Sequence, residues 1–192
     1  YTYYHTWTFY NDELIDAGDD GVVEFVLGNC VSDYDLKINT PVPVGCETAY
    51  AYSEDYATCF LEMQQGFSNW GWSNGLLPVG NYEFQLFAGA GQCDLENGRE
   101  VGSVSVDYDG AEAEVTYNML PGYTLDQVHL YVGNEILPKK NGYFTVAPGQ
   151  YPIKEEGLNG ATTWSHTVSG LSGNIHVVAH SEACGPGLGN AK

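Results

Sequence analysis

The sequence predicts an all-β fold, a β-sandwich or jelly-roll-like architecture built from roughly ten to twelve short strands. Aromatic residues make up 14% of the 192 residues, and glycine occurs 24 times. This composition is typical of strands joined by tight turns. Short segments of alternating apolar and polar residues recur along the chain, each bounded by Gly, Pro or Asn. No segment shows a sustained helical period, so we predict no helix.

Residues 1–10, called the N-terminal segment below, form the most strand-like part of the chain. Alternate side chains of a β-strand share one face. On one face of this segment these are almost all rings: Tyr1, Tyr3, His5, Trp7 and Phe9. The four rings other than histidine bury roughly 600–1,000 Å², which exceeds the apolar patch that a soluble monomer usually exposes. We therefore expect another surface to cover this face.

Two explanations of how this face is covered remain at this point. The segment is either the first strand of its own sandwich, returning through the acidic turn at residues 11–21, or a donor strand that completes the sheet of a second copy. Head-to-tail repetition of the second contact builds an open filament. We accordingly divide the chain into a candidate donor or attachment strand at residues 1–12 and a single β-sandwich domain at residues 13–192.

The later strands follow from alternating or apolar runs between turn residues. In chain order, the candidates are residues 22–27, 34–38, 47–52, 57–63, 76–80, 82–87, 101–106, 111–117, 125–132, 143–146, 162–168 and 175–180. The prolines of residues 40–45 indicate a connector or an edge. We predict one hairpin from residues 47–52 and 57–63, and a second where Asp109 and Gly110 form a tight turn. Residues 67–75 are predicted to be a long turn.

Charge restricts the partners of this protein. The chain has 6 Lys and Arg against 25 Asp and Glu, a formal net charge of −19, which repels nucleic acid and anionic membranes. No apolar run reaches the length of a membrane span, and the first residue is Tyr1 rather than Met, so we expect cleavage to produce the N-terminus. An extracellular or cell-surface location in a saline environment fits these features.

The five cysteines are widely spaced and include no CxxC pair, which argues against zinc and redox motifs. Disulfides in an exported protein are the better interpretation. The hairpin predicted at residues 47–63 favours a bond between Cys46 and Cys59. We expect a second bond from Cys93 to Cys184, which ties the middle of the chain to its C-terminal part. Cys30 is then the odd cysteine, either buried and inert or bonded to a neighbouring molecule.

Six motifs of the chain are similar to a known group of domains. They are Cys46-Glu-Thr-Ala-Tyr-Ala-Tyr, Ala57-Thr-Cys-Phe, Trp70-Gly-Trp-Ser-Asn-Gly, Ala88-Gly-Ala-Gly-Gln-Cys-Asp, His129-Leu-Tyr-Val-Gly and Thr145-Val-Ala-Pro-Gly-Gln-Tyr-Pro. Over residues 46–184 the chain resembles uncharacterised secreted acidic β-domains of marine bacterial proteins. The resemblance implies export and an all-β fold and supplies no catalytic residues. It leaves residues 1–45 outside, which agrees with an attachment role for that region.

Motifs for catalysis and cofactor binding are missing from the sequence. There is no nucleophile elbow and no Gly-rich loop followed by a helix, and carboxylate pairs carry no information in so acidic a chain. His176 and His180 are roughly 13 Å apart if they lie on one strand, too far to share a metal ion. We therefore predict a protein that is not an enzyme, with no catalytic residues, no cofactor and no metal.

The predicted function is that of a structural subunit of an extracellular filament or surface assembly, whose partners are copies of itself. The alternative is a carbohydrate-binding or adhesive module of a secreted protein. The pair Trp70 and Trp72 indicates this alternative, because flat aromatic rings stack on the faces of sugars. The competing interpretation of these tryptophans is that they close one end of the sandwich core.

Overall fold

The computed structural model describes residues 44–189. The predictions for the N-terminal segment, for the strands at residues 22–27 and 34–38 and for Cys30 lie outside the described residues. So does the proposed boundary between residues 12 and 13. The assembly strand with Tyr1, Tyr3, His5, Trp7 and Phe9 therefore stays a prediction.

The described residues form an all-β structure, which confirms the predicted fold class. Its strands are β1 (Val44–Tyr52), β2 (Ala57–Cys59), β3 (Trp72–Leu77), β4 (Gly80–Ala88), β5 (Arg99–Tyr108), β6 (Glu112–Met119), β7 (Thr124–Gly133), β8 (Lys139–Lys140), β9 (Tyr143–Phe144), β10 (Ile153–Ala161), β11 (Thr163–Ser169) and β12 (Ile175–Pro186). The helical segments in this part of the chain are single 3₁₀ turns at Phe60–Glu62, Gly91–Cys93 and Pro148–Gln150.

The strands pair in one large antiparallel sheet. Its order is β10-β7-β12-β1-β4-β5-β6-β11, and the short strands β2 and β3 join it through β12. Strands β8 and β9 form a separate small hairpin. Among the described strands, β10 and β11 are therefore the two ends of this order, and β2 ends the short branch.

The sheet folds over a main core as a β-sandwich, in which β6 and β11 contact β7. Buried side chains from both halves contribute to this core, including Phe84 of β4, Val104 of β5, Leu130 of β7 and Val177 of β12. The hydroxyl of Tyr117 on β6 donates a hydrogen bond to the main-chain carbonyl of His180 on β12 over 3.3 Å.

A second cluster covers the outer face of the half of the sheet that contains β1 and β12. This outer cluster consists of Tyr50, Cys59, Phe60, Trp72, Ala90, Leu137, Val146, Tyr151 and Val178. Alternate side chains of β1 pack in the two clusters: Ala49 and Ala51 in the main core, and Tyr50 in the outer cluster. Strand β1 is therefore buried on both faces over these residues.

The structure corrects the disulfide pairing. Cys46 bonds to Cys184 and Cys59 bonds to Cys93, so the predicted bonds from Cys46 to Cys59 and from Cys93 to Cys184 are wrong. The reason is that β1 and β2 do not form a hairpin: β1 pairs with β12 and β4, and β2 pairs with β3. The bond from Cys46 joins two residues that are direct partners in the β1–β12 ladder. The prediction that Cys46, Cys59, Cys93 and Cys184 form disulfides is nevertheless confirmed.

Two strand predictions also need correction. Part of the predicted turn at residues 67–75 belongs to β3, which begins at Trp72. Strand β10 was not predicted, because Gly157, Asn159 and Gly160 interrupt its pattern, and all three have positive φ. The hairpin between β5 and β6 is confirmed, and the Asp109 carboxylate accepts hydrogen bonds from two main-chain N–H groups within its turn, over 2.8 and 2.7 Å.

Candidate functional site

A pocket of about 300 Å³ opens on the outer face of β1 and β12. Four parts of the chain contribute to it: β1, the loop before β3, the 3₁₀ turn at Pro148–Gln150, and β12. The lining residues are Thr48, Tyr50, Ser68, Asn69, Trp70, Pro148 and His180. This volume is at the small end of the range for small-molecule pockets, so it suits one ring rather than an extended chain.

The rings of Tyr50, Trp70 and His180 form one side of the pocket, called the aromatic wall below. The ring of Tyr50 packs against both of the others. Its centroid lies 5.3 Å from that of Trp70 and 4.8 Å from that of His180, with interplanar angles of 69° and 62°. Behind the wall, Phe60 meets Tyr50 edge to face at 5.6 Å. Edge-to-face packing fixes the orientation of each ring, so the wall is formed before any ligand arrives.

The two tryptophans proposed as sugar contacts occupy different environments. Trp70 is half-buried and lines the pocket, whereas Trp72 is only 3% exposed and packs in the outer cluster. Gly71 separates them with φ +143°, and a Cβ at this position would lie 2.5 Å from a ring carbon of Phe60. Only glycine fits there, and the resulting turn sends one indole to the pocket and the other inward.

His180 meets a second histidine at the base of this region. His129 of β7 is its partner in the ladder, and their Nδ1 atoms are 3.0 Å apart. One Nδ1 must donate and the other accept, so at most one ring can be charged. Burial, with help from His129, lowers the pKa of His180 to about 3. Burial also lowers the pKa of His129, although Glu156 opposes this, so both rings are neutral near pH 7.

The rim of the pocket is polar and uncharged. Ser68 and Asn69 are exposed, and the Ser68 hydroxyl lies 3.4 Å from the Asn69 side-chain oxygen. None of the described residues that line the pocket carries a full charge at neutral pH. Hydroxyl and amide groups at the rim and rings in the wall suit reversible binding of a neutral molecule. Sequence reasoning missed Tyr50 and His180, because only the fold brings them beside Trp70. It also did not single out Asn69, although this residue directly precedes Trp70 in the chain.

Strand β11 provides a second candidate site. It pairs with β6 through seven consecutive residues, from Thr163 to Ser169, with no bulge. Its other side has no strand partner within residues 44–189. The strand contains no Asp, Glu, Lys, Arg or Pro. A long, regular, uncharged edge is a template for pairing with another strand.

Strand β10, the opposite edge of the described sheet, differs from β11. Its pairing with β7 shifts register between Glu156 and Ala161, and Lys154 and Glu155 place further charges along it. Bulges and charges of this kind protect an edge against unwanted pairing. Strand β11 therefore has fewer features that oppose pairing with a further strand than β10 has.

The other histidines do not assemble a metal site in the described part of the chain. His176 lies against Gly75 of β3, away from the pocket. Residues 44–189 contain no group of three or more His, Cys, Asp or Glu side chains arranged to hold an ion. In the same range, no helix has the length and apolar character needed to cross a membrane.

No protein-family model matches the chain, and neither a curated protein nor a solved structure is significantly similar to it. The resemblance to secreted acidic β-domains of marine bacteria therefore stays a prediction. The two disulfides are consistent with a secreted protein, because such bonds persist in oxidising compartments.

Proposed function

We propose that the protein is a structural subunit of an extracellular filament or cell-surface assembly. It polymerises when the N-terminal segment of one copy adds as a strand to the sheet of the next. The observation that carries this proposal is the regular, uncharged edge of β11, which lacks a strand partner among residues 44–189. An added strand satisfies the free backbone groups of such an edge and extends the sheet.

Apolar side chains at this edge give the added strand something to cover. Trp164 and Val168 of β11 pack against the main core and remain half-buried. Leu158 of β10 has the same character at the other edge. A neighbouring strand with large rings on one face would remove more of this apolar surface from water, which is favourable at roughly 25 cal/mol per Å².

The sequence of the N-terminal segment resembles that of β11 itself. Residues 2–8 are Thr-Tyr-Tyr-His-Thr-Trp-Thr, and residues 163–169 are Thr-Trp-Ser-His-Thr-Val-Ser. Thr, His and Thr coincide, and an aromatic, an apolar and a hydroxyl residue occupy equivalent places. In this alignment, the residues on the ring-bearing face of the N-terminal segment correspond to those on one face of β11: Tyr3 to Trp164, His5 to His166, and Trp7 to Val168. A strand of this pattern presents its rings on the face that β11 presents to the core.

Truncation tests the donor. A chain without residues 1–10 is expected to stay monomeric under conditions in which the full chain forms polymers visible by light scattering and electron microscopy. Synthetic peptide of residues 1–10 is expected to stabilise the truncated chain. At a free peptide concentration of 100 times Kd, the gain in unfolding free energy is about 2.7 kcal/mol. A full chain that is a monodisperse monomer at all concentrations contradicts the proposal.

A matched pair of lysine substitutions tests the acceptor. His166 and Ser165 are both exposed on β11 but have opposite parity. His166→Lys places a charge among the rings, which disfavours burial by an added strand. Ser165→Lys places the same charge on the other face. We expect the first variant to lose polymerisation and peptide binding and the second to keep both. Equal polymerisation of the two variants argues against β11 as the acceptor.

A second candidate function is that of a carbohydrate-binding or adhesive module with a polysaccharide partner. The specific observation in its favour is the position of Trp70, which is half-buried in the wall of the pocket. Trp72 does not contribute, because it is buried in the outer cluster.

A further inference from the structure

We propose that the pocket beside Trp70 is a binding site for one neutral pyranose ring, such as the end or a branch of a polysaccharide. The inference rests on the carbohydrate-binding candidate and assigns its site and ligand class. It is independent of polymerisation through β11, which involves other residues.

Charge selects the ligand class. The chain has a formal net charge of −19, so its field disfavours anions such as uronates and sulfated sugars. A cationic ligand would be held best by a carboxylate, and none of the described lining residues is acidic. A neutral ligand is therefore the one that this pocket accommodates without leaving a charge unpaired.

The shape and chemistry of the wall then favour a sugar over a purely apolar molecule. A pyranose ring has C–H groups on its faces and hydroxyl groups around its edge. The wall offers ring surface mainly from Trp70, which packs against the buried ring of Tyr50, and the hydroxyls of Thr48 and Ser68 and the amide of Asn69 line the same pocket. Such a combination of apolar wall and few convergent polar groups is typical of small-molecule sites.

The histidine pair fixes one further polar atom in the wall. The Nδ1 of His180 is engaged by His129 over 3.0 Å, so the remaining ring nitrogen of His180 is Nε2. This atom accepts a hydrogen bond if His180 is the Nδ1 donor and donates one if it is the acceptor. A sugar hydroxyl can satisfy either state, because a hydroxyl both donates and accepts.

The test measures binding to the full chain by the NMR shift of the Trp70 indole N–H. The probes are glucose, galactose, mannose and N-acetylglucosamine, with glucuronate and glucosamine as charged comparators. We expect at least one neutral sugar to shift this signal in a saturable manner and the charged sugars to bind at least several-fold more weakly. Retention on the corresponding immobilised neutral polysaccharide is measured in parallel.

Asn69→Ala is the main variant, because Asn69 is exposed and its loss leaves the core intact. Its control is Asn81→Ala, which removes an exposed asparagine from β4. We expect Asn69→Ala to weaken binding roughly tenfold, the effect of one net hydrogen bond, and Asn81→Ala to leave it unchanged. Trp70→Ala is expected to abolish retention, whereas Tyr143→Ala, which removes an exposed ring outside both the pocket and strand β11, preserves it.

Three results would overturn the inference. Polysaccharide retention that survives both Asn69→Ala and Trp70→Ala, with no shift of Trp70 in the parent protein, moves the site elsewhere and leaves the carbohydrate-binding candidate standing. If the parent protein is not retained on any polysaccharide and its Trp70 signal does not shift, both the proposed site and the carbohydrate-binding candidate are rejected. Binding of charged sugars as strong as that of neutral ones contradicts the ligand class. If Trp70→Ala lowers the melting temperature, the Asn69→Ala comparison still decides the location.

Discussion

The buried histidine pair makes the stability of this protein depend on pH in a way that can be calculated. His180 is 7% exposed, and its pKa in the folded protein is about 3, against roughly 6.5 in an unfolded chain. Above the higher value, the group is neutral in both states and contributes no pH dependence. Below it, the unfolded chain binds a proton that the folded protein does not, so stability falls with falling pH.

The size of the effect follows from the two pKa values. Between about pH 7.5 and pH 5, His180 alone lowers the free energy of unfolding by about 2 kcal/mol, and the loss continues down to about pH 3. The groups that face the pair are Tyr50 across from His180, and Glu156 and Lys154 near His129. Burial of His129 lowers its own pKa and adds to the loss in the same direction.

Urea denaturation at these two pH values measures the change in unfolding free energy. His180→Gln removes the titrating group, and a constant loss of stability in this variant cancels when the two pH values are compared. We expect the pH-dependent loss to shrink by about 2 kcal/mol in His180→Gln. Asn81→Gln, a substitution at an exposed position on β4 without a titrating group, is the control and is expected to keep the parent pH dependence. An equal pH-dependent loss in the parent and in His180→Gln refutes the reasoning.

Two further predictions concern the elements that close the fold. Replacing Cys46 and Cys184 with serine opens a loop with a sequence separation of 138. Chain entropy predicts that the free energy of unfolding, measured by urea denaturation, falls by about 5 kcal/mol. A non-reducing peptide map that links Cys46 to Cys59 would contradict the pairing. Phe60→Ala removes a fully buried ring from the outer cluster and is expected to cost about 3–5 kcal/mol; a loss under about 1 kcal/mol would mean that the cluster repacks.

Local patterns were sufficient to predict many of the strands. In β5 the alternation of Val104, Val106 and Tyr108 places all three in the main core, and Asp109 with Gly110 signals the turn into β6. These signals are local, because side-chain period and turn chemistry depend on neighbouring residues. The same locality explains the miss at β10, where Gly157 and its neighbours break the period although tertiary pairing with β7 still holds the strand.

Strand partners and the pocket could not be predicted in this way. A strand has the same period in whichever sheet it joins, so β1 gave no sign that its partner is β12 rather than β2. The disulfide error followed directly from that ambiguity. Similarly, Trp70 and Trp72 lie two residues apart, but only the positive φ of Gly71 and the crowding around it separate a pocket residue from a buried one. Neither the angle nor the crowding is visible in the sequence.

The two proposed sites can operate in the same subunit. The strand residues that line the pocket belong to β1 and β12, whereas the proposed acceptor edge is β11, and β4, β5 and β6 lie between β1 and β11 in the sheet order. A strand added beside β11 therefore extends the sheet at a distance of several strands from the pocket along the sheet order. Substitution at Asn69 should consequently leave polymerisation unchanged, and substitution at His166 should leave the affinity of the single site for a monosaccharide unchanged, since sites without shared partners usually behave additively. An assembly that grows through β11 could then present one sugar site per subunit, which turns weak single-ring binding into multivalent adhesion.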